Sequence, residues 1–238
     1  TNTTYKLMDS LPMLTKTGIE QEKAAPVKSI EPPDQAQDTS DQLMEYALHY
    51  TENYKNSKAP MNTLPKGHRG LIGLTDDGIE TFHYFVKGKC IGIKRHKDAN
   101  GQCKWTGDGS CKIFKQQFIQ DYGDTVYIAE GERDSIFSPY PAISFSSGCG
   151  SIPNDLSALY SFKNINIIYD NDDAGRKGAN KLANRIKLDR PEINVKIAQW
   201  GKKVPEGYDI YDDYLITQTV DKYNFDRLKD AVSNAIKI

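Results

Sequence analysis

No stretch of the chain approaches the roughly 18 consecutive apolar residues of a membrane-spanning helix, so no span is expected. No basic-then-apolar-then-small pattern opens the sequence, so no secretory signal is visible; a start at Thr1 reads as a processed or excised chain. The four cysteines, Cys90, Cys103, Cys111 and Cys149, include no C-x2-C pair, and His49, His68, His83 and His96 offer no ligand spacing. This excludes a zinc ribbon and points to reduced thiols in a reducing compartment. A G-x-x-x-x-G-K-[ST] phosphate loop is absent, which argues against an ATP-driven motor, and so is a G-x-S-x-G nucleophile elbow. Internal repeats and low-complexity tracts are missing too. Net charge is -1, from 31 basic and 32 acidic residues, so no overall excess advertises nucleic acid.

What is present is a core and an uneven charge distribution. Hydrophobic residues make up 38% of the chain, with 14 Tyr and 8 Phe, enough to fold rather than stay disordered. Residues 61–120 hold ten Lys/Arg against five Asp/Glu, a local +5 beside a remainder of -6. Residues 1–38, with Pro12, Pro26, Pro32 and Pro33, read as a linker or flexible tail. A helix is expected over 40–54, with Thr39 and Gln42 at capping-box spacing. Short strands follow at 71–74, 80–86, 90–96 and 102–105, separated by Asp77-Gly78, Lys87-Gly88-Lys89 and Asn100-Gly101 turns.

From Asp124 onward the pattern changes to strand–helix alternation. Strands at 126–129, 142–145, 165–169 and 195–199 alternate with helices at 134–137, 155–161 and 174–188. This predicts an α/β fold with a four-stranded parallel sheet and flanking helices. Such sheets bind ligands at the carboxyl ends of their strands. Three acidic clusters fall there: Glu130-Gly131-Glu132-Arg133-Asp134, Asp170-Asn171-Asp172-Asp173, and Asp209 with Asp212 and Asp213. Gly131 is expected to permit a tight turn and close approach to a ligand. Any one cluster can simply cap the next helix, as Asp172 or Asp173 can before Ala174. Three clusters at successive strand ends favour a divalent cation, because hard oxygen donors suit Mg²⁺ or Mn²⁺ and the cation relieves carboxylate repulsion.

The ordered set, Glu130-Gly-x-x-Asp134, then Asp170-x-Asp172 with Asp-Ala-Gly-Arg-Lys-Gly-Ala, then Pro-Glu-Gly-x-Asp209, resembles the TOPRIM domain of DnaG-type primases and phage primase–helicases. The resemblance covers about residues 124–216. It implies that Glu130 is a metal ligand or general base, with Asp170 and Asp172 completing the catalytic set by holding the ions that bind a triphosphate. Asp134, Asp209 and Asp212 become supporting ligands, for two Mg²⁺ or Mn²⁺ ions in all and no zinc in this chain. Tyr208 stands where the family carries lysine.

The basic block between Lys87 and Lys115 interleaves cations with Tyr84, Phe85, Trp105 and Phe114, side chains that suit phosphates and stacked bases. It equally suits a solvated hairpin face. Beside a TOPRIM segment it resembles the smaller, basic, β-rich α+β subdomain of a primase core. Lys87, Lys89, Lys94, Arg95, Lys104, Trp105, Lys112, Lys115, Arg176 and Lys177 are then expected to contact nucleic acid or triphosphates.

The implied organisation is a tail over 1–38, the basic subdomain over 39–120, TOPRIM over 121–216 and a carboxy-terminal helix over 217–238. The implied function is synthesis of short RNA primers on single-stranded DNA from ribonucleoside triphosphates. A replicative helicase and a zinc-binding module are the implied partners, in the cytoplasm of a bacterium or phage-infected host, with no membrane involved. The rivals are a TOPRIM nuclease and a non-catalytic nucleic-acid-binding replication subunit.

Overall fold

The computed structural model describes residues 40–57, 64, 66–96, 103–107 and 112–238. The tail, Thr39 and the Asn100-Gly101 turn lie outside them. The first helix, α1 (Ser40–Asn56), buries Leu43, Ala47, Tyr50 and Tyr54, a stripe at helical spacing. It packs on an antiparallel sheet ordered β1-β2-β3-β4, formed by β1 (Ile72–Leu74), β2 (Glu80–Val86), β3 (Lys89–Arg95) and β4 (Lys104–Gly107). The Lys87-Gly88 turn joins β2 to β3 with both residues at positive φ, the geometry that matches strand twist in a two-residue hairpin.

The second sheet has six strands in the order β10-β9-β8-β6-β7-β5. Its centre is the expected parallel set: β6 (Thr125–Ala129), β7 (Ala142–Phe145), β8 (Asn164–Ile168) and β9 (Asn194–Ile197). Two antiparallel edges, β5 (Ile113–Phe114) and β10 (Ile236–Lys237), were not legible as strands because each is only two residues long. The helices are α2 (Glu132–Phe137), α3 (Asp173–Asp189), α4 (Ile210–Thr219) and α5 (Asp226–Ser233). The helix expected over 155–161 is instead one 3-10 turn, Ser157–Leu159. The Asp155 carboxylate accepts from the Ser157 N–H at 2.8 Å, and so short a segment cannot offset helix nucleation.

One face of the six-stranded sheet packs on α3 through Ile128, Ile143, Ile167, Leu182, Ala183 and Ile186. The other packs on α4 and α5 through Ala129, Ile168, Ile210 and Leu228. A third cluster joins the two sheets: Phe82 and Tyr84 of β2 meet Phe114 of β5, Ile136 and Phe137 of α2, and Tyr214 of α4. No helix among the described residues is long and apolar enough to cross a membrane.

Candidate metal and active site

Within the parallel sheet, β6 lies between β8 and β7, and the chain leaves it toward β7 before crossing back to β8. The carboxyl ends of β6 and β8 therefore flank a switch point, where α/β sheets open a crevice. Parallel register sets Ala129 opposite Ile168, which brings Glu130 and Asp170 out at the same edge. The Asp170 N–H donates to Glu130 Oε2 at 3.2 Å.

The tightest acidic group is Asp134, Asp170 and Asp209, each offering an oxygen within 4.8 Å of the others. Three segments supply them: the first turn of α2, the turn after β8 and the residue capping α4. Asp134 is held by two backbone donors, Gly131 N–H at 3.2 Å and Tyr211 N–H at 3.0 Å. Asp209 accepts from the Asp212 N–H at 2.7 Å, and Asp212 answers the Asp209 N–H at 3.4 Å. At about 5 Å each like-charged pair costs roughly 3 kcal/mol with an effective dielectric near 20. Burial, then Glu130 and Asp209, push Asp170 up to about 8, and burial, then Asp212, pushes Asp209 up to about 6. Asp134 is raised well above the usual carboxylate range by burial, then by Asp209 and Asp170. Three hard carboxylate oxygens in a group that repels itself fit a divalent cation, which removes the repulsion.

All three of these carboxylates belong to the six acids that the sequence points to as metal ligands; among the described residues it is two of the supporting acids, Asp134 and Asp209, that join Asp170 in this group, with Glu130 and Asp172 outside it. Asp172 is the N-cap of α3, accepting from the Gly175 N–H at 2.6 Å. Glu130 borders the group from the side. Two glycines allow this density. A Cβ on Gly175 would sit 2.4 Å from the Asp170 carbonyl oxygen and 3.1 Å from Glu130 Oε2. Gly131 has an ordinary φ of -109, so the expected tight turn is not its purpose; a Cβ there would meet the Asp134 carboxylate at 2.9 Å.

The basic residues divide. Lys87, Lys89, Lys104, Arg176 and Lys177 are exposed, while Arg95 and Lys112 are half-buried. Arg176 pairs with Asp173 at 2.7 Å and reaches Glu206 at 3.5 Å. Lys94 and Lys115 turn inward and are corrected as phosphate contacts. The Lys94 ammonium bonds Glu132 and the Ser146 carbonyl, both at 2.7 Å. The Lys115 ammonium bonds the Ser135 carbonyl at 2.7 Å, and burial lowers it to about 7. The aromatics expected to stack on bases are packed instead: Tyr84 and Phe114 are buried, and Trp105 lies against Tyr84 with ring centroids 5.0 Å apart. Tyr208 is buried, donating to Asp213 at 2.5 Å. The loop after β7 reaches the site. A Cβ on Gly148 would lie 3.7 Å from Glu130, and the Cys149 thiol is pushed up to about 12 by burial, then by Glu130.

Glu132 escaped the sequence reading. It is buried and accepts from Lys94 and from the Tyr84 hydroxyl. Nothing in its local sequence separates it from the acids on either side.

No protein-family model and no curated protein matches the chain. Solved structures do. The structure is similar to the DnaG catalytic core, with a TM-score of 0.61 at 14% identity over 84% of this chain and 81% of that one. A DNA primase domain from Pseudomonas aeruginosa gives 0.59 at 15%, over 83% and 79%. The Aquifex aeolicus primase, comprising zinc-binding and RNA polymerase domains, gives 0.57 at 16%, over 85% of this chain and 63% of that one. At these identities the likeness is one of fold: a TOPRIM sheet preceded by an antiparallel subdomain, as in a primase catalytic core.

Proposed function

We propose that the chain is the polymerase core of a DNA primase, joining ribonucleotides into short primers on single-stranded DNA. One observation carries this: Asp134, Asp170 and Asp209 converge at the carboxyl edge of the sheet in a chain with the primase-core fold. Those three residues would hold a divalent ion, Mg²⁺ or Mn²⁺, with Glu130 and Asp212 beside a second. When bound, the ions supply charge for the triphosphate and acidity for the attacking 3′-hydroxyl.

The chain's own residues do the rest. The Asp134 carboxylate is aimed by the Gly131 and Tyr211 N–H groups. Asp172 fixes the start of α3 and so the turn that carries Asp170. Glu130, adjacent to Asp170, is placed to accept a proton from the hydroxyl. Exposed Lys87, Lys89, Lys104 and Lys177, with Arg176, offer cations to template and triphosphate phosphates. The expected carboxy-terminal helix over 217–238 is instead the end of α4, the helix α5 and the strand β10, and β5 and β10 extend the second sheet beyond 121–216 on both sides; a replicative helicase and a zinc-binding module as partners belong to this reading. A DnaG catalytic domain bound to single-stranded DNA has the same fold, with a TM-score of 0.53.

The test is incubation of the chain with single-stranded DNA, labelled ribonucleotides and Mg²⁺ or Mn²⁺. Labelled oligoribonucleotides support the reading. Strand cleavage without incorporation would replace it with a TOPRIM nuclease.

A further inference from the structure

Three successive residues in the first turn of α2 point three ways. Asp134 enters the acidic triad. Arg133 pairs with Glu80 of β2 at 2.5 Å. Glu132 turns into the junction of the two sheets, where it meets Tyr84 of β2 and Lys94 of β3. The Lys94 ammonium also bonds the Ser146 carbonyl, just before the Gly148 loop that abuts Glu130. A single lysine of the amino-terminal sheet thus ties together the two segments that wall Glu130.

Stability does not account for this pair. Its side chains are 11% and 5% exposed, and a buried ion pair is seldom more stabilising than apolar residues of similar volume. Its best-attested use is to fix one arrangement. A helix of six residues such as α2 has little stability of its own, so neighbouring contacts decide where its first turn sits. A metal site tolerates misplacement of only about 0.5 Å in its ligands. Glu132 and Asp134 share that turn.

We propose that Lys94 and Glu132 are positioning residues: their buried pair, with Tyr84, transmits the placement of the amino-terminal sheet to Asp134 and to the loop beside Glu130, and so sets the metal affinity of the site. This deepens the primase reading and rests on the metal site within it.

The test uses the full chain and Mn²⁺ titration followed by the electron paramagnetic resonance of the free ion. Lys94→Met combined with Glu132→Met keeps the junction filled and replaces the ion pair by apolar side chains. The expected result is a folded variant, with a melting temperature lowered by no more than the loss of partners for the Tyr84 hydroxyl and the Ser146 carbonyl entails, Mn²⁺ affinity lowered about tenfold or more, and a matching rise in the Mn²⁺ needed for half-maximal synthesis. Lys94→Arg, which keeps the charge, retains affinity near wild type. Should the double variant not fold, Glu132→Gln carries the test with the same expected loss of affinity. Wild-type Mn²⁺ affinity in a folded variant overturns the proposal. Mn²⁺ binding is read independently of synthesis, so a wild-type chain that binds Mn²⁺ but makes no RNA would sink the primase reading alone. A wild-type chain whose Mn²⁺ binding is absent, or unaffected by Asp170→Asn, overturns the metal site and this proposal with it.

Discussion

Asp170 shows how one residue sets both chemistry and stability. Its carboxyl is raised to about 8 by burial, then by Glu130, Asp209 and Asp172. In the metal-free protein the folded state therefore binds the proton more tightly than the unfolded chain does. Stability from this group is complete below pH 4 and is lost as pH rises toward 8. His68 and His83, both lowered to about 4 by burial, act in the opposite sense up to about pH 6.5, and Lys115 does so above pH 7. The clean measurement is the difference between wild type and Asp170→Asn in EDTA. The variant melts higher, by about 2–4 °C for each kcal/mol of repulsion removed, and its advantage widens from pH 4 to pH 8. Added Mn²⁺ raises the wild-type melting temperature and leaves Asp170→Asn nearly unmoved, and synthesis by the variant falls to background. Equal melting temperatures across that pH range would show that the cluster is not under charge strain.

At the scale of elements, the two kinds of lysine separate. Lys87 and Lys89 sit at the exposed β2–β3 hairpin and Lys104 opens β4, whereas Lys115 binds the carbonyl of Ser135 near the end of α2. Replacing all three exposed lysines by Ala is expected to weaken single-strand binding. The slope of log K against log salt should flatten by up to about 2, at about 0.7 per phosphate lost. Lys115→Met should leave that slope unchanged, which filter binding at several salt concentrations will show. The junction of α4 and α5 carries a second expectation. Asp213 is fully buried and accepts from Tyr208, Tyr223 and the Leu228 N–H at 3.1 Å. Asp213→Ala leaves those donors unanswered and should destabilise the fold by about 2–4 kcal/mol in denaturant melts. It should also lower metal affinity, because Tyr208 and Asp213 bracket the turn that holds Asp209.

For the whole molecule, the acidic edge belongs to one sheet and the exposed lysines mainly to the other, with Phe82, Phe114, Ile136 and Tyr214 joining them. A triphosphate at the acidic edge and a template across the lysines would then meet at that joint. Nothing in the triad reads base sequence, since carboxylates and an ion recognise phosphate and hydroxyl groups. The chain alone is expected to prime with weak sequence preference. Adding a zinc-binding primase module in trans should raise both initiation and site selectivity, as read from product lengths and start sites on defined templates. Efficient, site-specific priming by this chain alone would contradict that division of labour.

Period and punctuation in the sequence determined much of this protein. Alternating strands and helices, with acids at strand ends, specify a parallel sheet and its acidic edge, because strand period and helix period are local properties. Local rules also placed Glu80–Val86 at its observed bounds. Which carboxylates meet was a tertiary decision. Asp172 and Asp170 are neighbours in sequence, but an N–H of α3 claims Asp172, while Asp134 and Asp209 arrive from segments 36 residues before and 39 after Asp170. Equally tertiary was the fate of Lys94 and Lys115. A lysine in a basic run looks like a phosphate ligand until a buried carboxylate or an open helix carbonyl across the junction proves nearer, and no spacing along the chain reports that distance.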